Sequence, residues 1–189
     1  MTYITTRPPV AEAMGVSDVK AHMRIGGEAE DAYLAGLVRV AREHMERATG
    51  LCLVSQGLRL VLPAVSRDGV VQILKGPVQA IDAVTLYDAD GVARSLAAEG
   101  IAFEREGPPA RLWLGRGFEP GQAENGVEID FTAGFGEAGA DVPDSLRRAL
   151  LLHVAAMYEY RGAVGLADQP AAIPDGYERL VQPFLGRRL

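Results

Sequence analysis

Apolar residues in this chain keep a helical period near both ends and a strand period between them, a switch that no all-α or all-β fold accommodates. In "EDAYLAGLVRVAREHMERATG" the residues Leu34, Leu37, Val38, Ala41, Met45 and Ala48 form one helical stripe. Glu28, Glu30 and Asp31 gather at its start, and Gly50 stands where a helix stop is expected. From "GLRLVLP" onward the period drops to two, with Leu58, Leu60 and Leu62 alternating against Arg59 and Val61. "VVQIL", "VQAIDAVTLY", "VARSL", "IAFERE", "ARLWL" and "VEIDFTAGF" read as further strands, separated by turn signals such as "KGP", "DADG" and "EGPPA". The helical pattern returns at Asp144 and carries Leu146, Leu150, Val154 and Met157 on its apolar side.

Short strands at near-regular spacing favour an antiparallel sheet over β-α-β units. The expected class is therefore α+β, with the N- and C-terminal helices packed together and an antiparallel β-sheet lobe inserted between them. Residues 16–50 and 141–161 make the expected helical core, with Leu34, Leu37, Val38 and Met45 facing Leu146, Leu150, Val154 and Met157. Residues 51–140 make the β lobe, and residues 1–15 read as a flexible arm in which Pro8 and Pro9 block a helix. Ser17 is the expected N-cap of a short helix after that arm. Residues 162–189 read as a loop, a short helix that Pro183 should end, and a tail.

The chain has 189 residues, 48% apolar and 23% charged, an ordinary soluble composition with room for one sizeable core or two small ones. No apolar run approaches the roughly 20 residues that span a bilayer, and the N-terminus lacks the pattern of a signal peptide. No membrane association is expected, and bacterial cytoplasm is the expected place of synthesis and assembly. A net charge of −6 argues against gripping nucleic acid through its phosphates. The single Cys52, between Leu51 and Leu53, reads as a buried small hydrophobe.

Several fragments imitate sites. In "DFTAGFGEAGADVPDS" a glycine-rich turn feeds a helix, but no Lys follows the glycines, and Glu137 and Asp141 would repel a phosphate. A hinge is the better reading, with Pro143 in the first helical turn. Ser17 to Lys20 match S-x-x-K without its companion motifs. Asp88 to Gly91 read as a hairpin turn, since the later ligands of a calcium loop are missing. His22, His44 and His153 lie on separate expected helices with no metal-ligand spacing, although helix packing could bring His44 towards His153. Glu104, Glu106 and Glu128 show no evident pairing. With no catalytic constellation, cofactor motif or metal motif, the residues point to a binding or structural protein rather than an enzyme.

Taken in order, "GVSDVKAHMRIGGEAEDAYLAGLVRVAREHMERATG", "LKGPVQAIDAVTLYDADG" and "FTAGFGEAGADVPDSLRRALLLHVAAMYEYRG" resemble the head–tail connector (adaptor) proteins of long-tailed phages and of phage-like gene transfer agents. The resemblance runs from about Gly15 to the C-terminus. It implies a non-enzymatic ring, usually of twelve copies, beneath the portal protein in the neck of a virus-like particle. Expected partners are the portal, neighbouring copies and the next neck or stopper protein, with DNA passing through without sequence-specific binding. The C-terminal segment would dock on the portal, which makes Phe184, Leu185, Arg187, Arg188 and Leu189 the candidate contacts. A tail-terminator or stopper ring, and a small ligand-binding or hydrolytic domain, are the alternative readings.

Overall fold

A computed structural model describes residues 1–65, 68–88, 90–96, 101–104, 109–114, 126–161 and 173–185. The chain divides into two compact units: Met1–Val10 with Ser55–Gly134, and Ala11–Val54 with Phe135–Leu189.

The second unit is helical. Helix α1 (Val16–Met23) is followed by α2 (Asp31–Thr49), and after the excursion into the other unit by α3 (Asp144–Glu159) and the short α4 (Tyr177–Val181). The stripe on α2 is the reason that helix exists as a packed element: Leu34, Leu37, Val38, Ala41 and Met45 are all buried. Gly50 ends it in the left-handed conformation at φ 79°, where its N–H donates back to the Glu46 carbonyl. Leu34, Leu37, Val38 and Met45 share one buried cluster with Leu146, Leu150, Val154 and Met157 of α3, and with Val19, Tyr177 and Val181.

Two helix starts differ from expectation, by two positions and by one. Gly15, not Ser17, is the N-cap of α1, because the Asp18 carboxylate accepts the Gly15 N–H at 3.0 Å and leaves Ser17 inside the first turn. Pro143 is the N-cap of α3 rather than a helical residue, in an extended ψ of 136°.

The first unit is two antiparallel sheets. Strands β1 (Thr2–Arg7), β2 (Gln56–Leu62), β4 (Val78–Tyr87), β5 (Ala93–Leu96) and β8 (Val127–Ala133) form a five-stranded sheet in the order β1-β2-β8-β4-β5. Strands β3 (Val70–Ile73), β7 (Ala110–Trp113) and β6 (Ala102–Glu104) form a three-stranded sheet in the order β3-β7-β6. On β8, Val127, Ile129, Phe131 and Ala133 are buried, opposite Leu62, Leu60, Leu58 and Gln56 of β2, and Glu128 is the one residue between them that is buried too. The turn at Asp88 is the expected hairpin between β4 and β5, with Asp88 Oδ1 accepting the N–H groups of Asp90 and Val92.

The expectation of a flexible arm over residues 1–15 is corrected over its first half. Thr2–Arg7 pairs with β2 along Thr2↔Val61 to Thr5↔Leu58, and Tyr3 stacks edge-on against Phe131 at 6.3 Å. The Tyr3 hydroxyl also accepts the Leu74 N–H at 2.8 Å. Pro8 and Pro9 end this strand rather than keep the segment free.

Candidate functional site

The C-terminal segment is where sequence reasoning placed the contacts to a partner. Gly176 opens α4 from a left-handed φ of 90°, and the Tyr177 N–H reaches back to the Pro174 carbonyl at 3.2 Å. One turn of helix then buries Tyr177 and Val181 against the helical core. Pro183 falls in a 3-10 turn, Gln182–Phe184, and the Leu185 N–H closes it onto the Gln182 carbonyl at 3.2 Å.

This geometry separates the candidate contacts. Phe184 is half-buried on the helical core and meets Phe135 edge-on, with ring centroids 6.2 Å apart and planes at 86°. Phe184, expected in the tail, instead anchors the segment to its own unit. Leu185, the next residue, is exposed. Arg187, Arg188 and Leu189 lie outside the described residues, as does most of the expected tether from Gly162 to Pro174.

Beneath α4 sits an aromatic trio assembled from three helices. His44 of α2 meets His153 of α3 at 5.1 Å between centroids, and Tyr177 of α4 lies 5.5 Å from His153 and 6.5 Å from His44. His153 is fully buried, and so, nearly, is Tyr177. Burial pushes the Tyr177 hydroxyl up to about 12. Burial, reinforced by Arg47, lowers the His44 pKa below its ordinary 6.5. Both groups thus stay neutral at pH 7. His22, on α1, instead accepts from the Arg148 guanidinium at 3.3 Å. Among the described residues no group of three or more His, Cys, Asp or Glu is placed to hold a metal ion.

The motifs that imitate sites are occupied by internal bonds. The Asp141 carboxylate accepts the Ala138 N–H at 2.9 Å, which takes a donor that a bound phosphate would need. A Cβ on Gly136 would stand 2.2 Å from that same carboxylate, so the glycine is there for close approach. Lys20, the S-x-x-K lysine, is held by Asp31 at 2.7 Å.

One polar cluster escaped the sequence reading. Arg59 on β2 lies opposite Asp130 on β8 and bonds it bidentately at 2.7 and 2.8 Å. Its remaining nitrogen reaches Glu128 at 2.9 Å, which corrects the reading of Glu128 as unpaired. Burial and a hydrogen bond with Glu128 raise the Tyr87 pKa beside this cluster. Opposite charges at the centres of two expected strands were visible, but their register was not. Of the other two carboxylates, Glu104 is on β6 and Glu106 lies outside the described residues.

The chain is thus α+β, a helical unit interrupted by a two-sheet unit, with its site-like motifs closed by internal bonds. The "Phage gp6-like head-tail connector protein" family matches residues 13–106. Three solved structures cover 100% of this chain and 97% of their own. One, the neck of an empty gene transfer agent (GTA) particle computed with C6 symmetry, is 31% identical with a TM-score of 0.83. Another, the virion of a native GTA particle, is 31% identical with a TM-score of 0.82. In the neck of a native GTA particle computed with C12 symmetry the figures are 28% and 0.78. Comparison with curated proteins gave no significant match. The chain belongs to the phage head–tail connector family.

Proposed function

We propose that this protein forms a ring in the neck of a tailed phage or gene transfer agent particle, beneath the portal and around the path of the DNA. The observation that carries this reading is the end-to-end match, at 31% identity, to a chain of a GTA neck and to a chain of a GTA virion. Twelve copies per ring are in keeping with the C12 symmetry of one of those necks. The ring would join the portal on one side to the next neck protein on the other. Its acidic balance, −6 per copy, suits a wall along which DNA slides without being gripped.

In this reading Leu185, Arg187, Arg188 and Leu189 meet the portal, while Phe184 holds the segment in place from below. An exposed leucine followed by two arginines suits an interface with an apolar centre and a charged rim. The subunit contacts are individually weak, so the isolated chain is monomeric or loosely associated and the portal acts as template. Mass photometry of the chain mixed with the portal of the same particle tests this. A defined ring on the portal is expected; a chain that stays monomeric beside it would refute the proposal.

A further inference from the structure

Among the described residues the five-stranded sheet has two open edges, and they differ. β1 closes one end and β5 the other, and among the described residues neither has a partner on its outer side. Each therefore presents a row of backbone N–H and C=O groups that another strand could satisfy. Proteins commonly blunt such edges with charge, proline or a bulge. On β1 those devices come only at the far end, where the register slips between Thr5 and Arg7 and Pro8 follows. Thr2–Thr5 run in regular register with Val61–Leu58, and their Thr-Tyr-Ile-Thr sequence carries high β-propensity and no charge. The regular part of β1 and the whole of β5 are each four residues long.

Direction and face also agree. Every neighbour in the sheet is antiparallel, and four such steps separate β1 from β5, so the two edges run in the same sense. A second copy shifted sideways along the sheet would bring its β1 beside β5 in parallel, without turning over. Ile4 is opposite Arg59, which is opposite Asp130; Ser95 is opposite Thr85, which is opposite Glu128. Glu128 and Asp130 are two apart on β8, so Ile4 and Ser95 emerge on the same face of the sheet. Ile4 is 48% exposed, and Ala93 and Ser95 are exposed as well. Joining the edges would cover the isoleucine with small side chains.

We propose that β1 of one copy adds to β5 of the next, so that the five-stranded sheets run on from subunit to subunit around the ring. Two unlike edges make a head-to-tail contact, the kind that closes into a ring when each step adds a fixed rotation. The inference rests on the ring reading above and names the contact that builds it. A four-residue parallel ladder is weak by itself, in keeping with copies that stay apart until ring closure and the portal act together.

Cysteine pairs test the contact in the full-length chain assembled on its portal. Ile4→Cys or Thr2→Cys on β1 is combined with Ser95→Cys or Ala93→Cys on β5, and the assembly is oxidised and run on a non-reducing gel. At least one combination should give a covalent ladder of chain multiples that neither of its single variants gives. Ile4→Lys, which adds an edge charge, should melt like the wild type yet need at least tenfold more protein to form rings. Wild-type rings accompanied by no ladder in any combination, and by Ile4→Lys assembling at the wild-type concentration, would overturn the strand contact alone. Absence of wild-type rings would overturn the ring reading and the contact with it.

Discussion

Phe184 meets Phe135 edge-on at 6.2 Å, and this contact ties the last described turn of the chain to the residue that follows Gly134. It anchors Phe184 within its own unit, while Leu185, the next residue, is exposed. Truncation after Phe184 should leave the thermal melt of the monomer unchanged, because it keeps the Phe184 anchor and Leu185 is exposed. Phe184→Ala removes a half-buried ring and should cost about 1–3 kcal/mol, below the value for a full core phenylalanine. Denaturant melts of the two variants check this, and equal stabilities would show that the aromatic contact contributes nothing.

Leu150 is buried where α3 meets α2, in one cluster with Leu34 and Met45. Leu150→Ala should lower the unfolding free energy by about 2–5 kcal/mol. A urea melt within about 0.5 kcal/mol of the wild type would mean that the two stripes do not share a core.

Glu30 accepts hydrogen bonds from the Tyr158 hydroxyl and, at 2.8 Å, from Arg161, which also lies 4.3 Å from the centre of the Tyr158 ring. The Tyr158 bond, aided by Arg161, holds the Glu30 pKa below its ordinary 4.5. A carboxylate depressed in the folded state stabilises fully above its unfolded pKa, and that contribution fades as pH falls through the folded value. Tyr158→Phe should raise the Glu30 pKa and move acid unfolding to higher pH. Carboxyl NMR titration together with acid-limb circular dichroism reads both, and an unchanged Glu30 titration would contradict the assignment.

Arg59 neutralises Asp130 and the more deeply buried Glu128 together. Arg59→Ala leaves Glu128 without its cation and should cost about 1–3 kcal/mol, more than Asp130→Ala, which leaves Arg59 its second partner. Paired chemical melts check the order, and the reverse order would show that Glu128 does not depend on Arg59.

Much of this architecture was legible because its signals are local. The α2 stripe, the Gly50 stop and the alternation around Leu58–Leu62 and Val127–Phe131 each lie within one turn or one strand of themselves. What escaped depends on partners distant in sequence. "TYITTR" becomes a strand by lying on β2, at least 50 residues away, and no local pattern announces that pairing. Arg59 and Asp130 are 71 residues apart, and only the strand register makes them neighbours. Phe184 looked free because its ring partner precedes it by a whole helix and loop. The hinge reading of the glycine-rich segment rested on the missing Lys and the nearby acids. Asp141 turns out to close that loop itself.

The central claim is that this protein is a ring component of a particle neck, and a cryo-electron microscopy reconstruction of that neck tests it most directly. Particles purified from the source cells should contain the chain by mass spectrometry. Their reconstruction should show a closed ring between portal and tail into which each unit of this chain fits, with density from Leu185 onward meeting the portal. Particles that lack the chain, or a neck whose rings are fully accounted for by other proteins, would contradict the account.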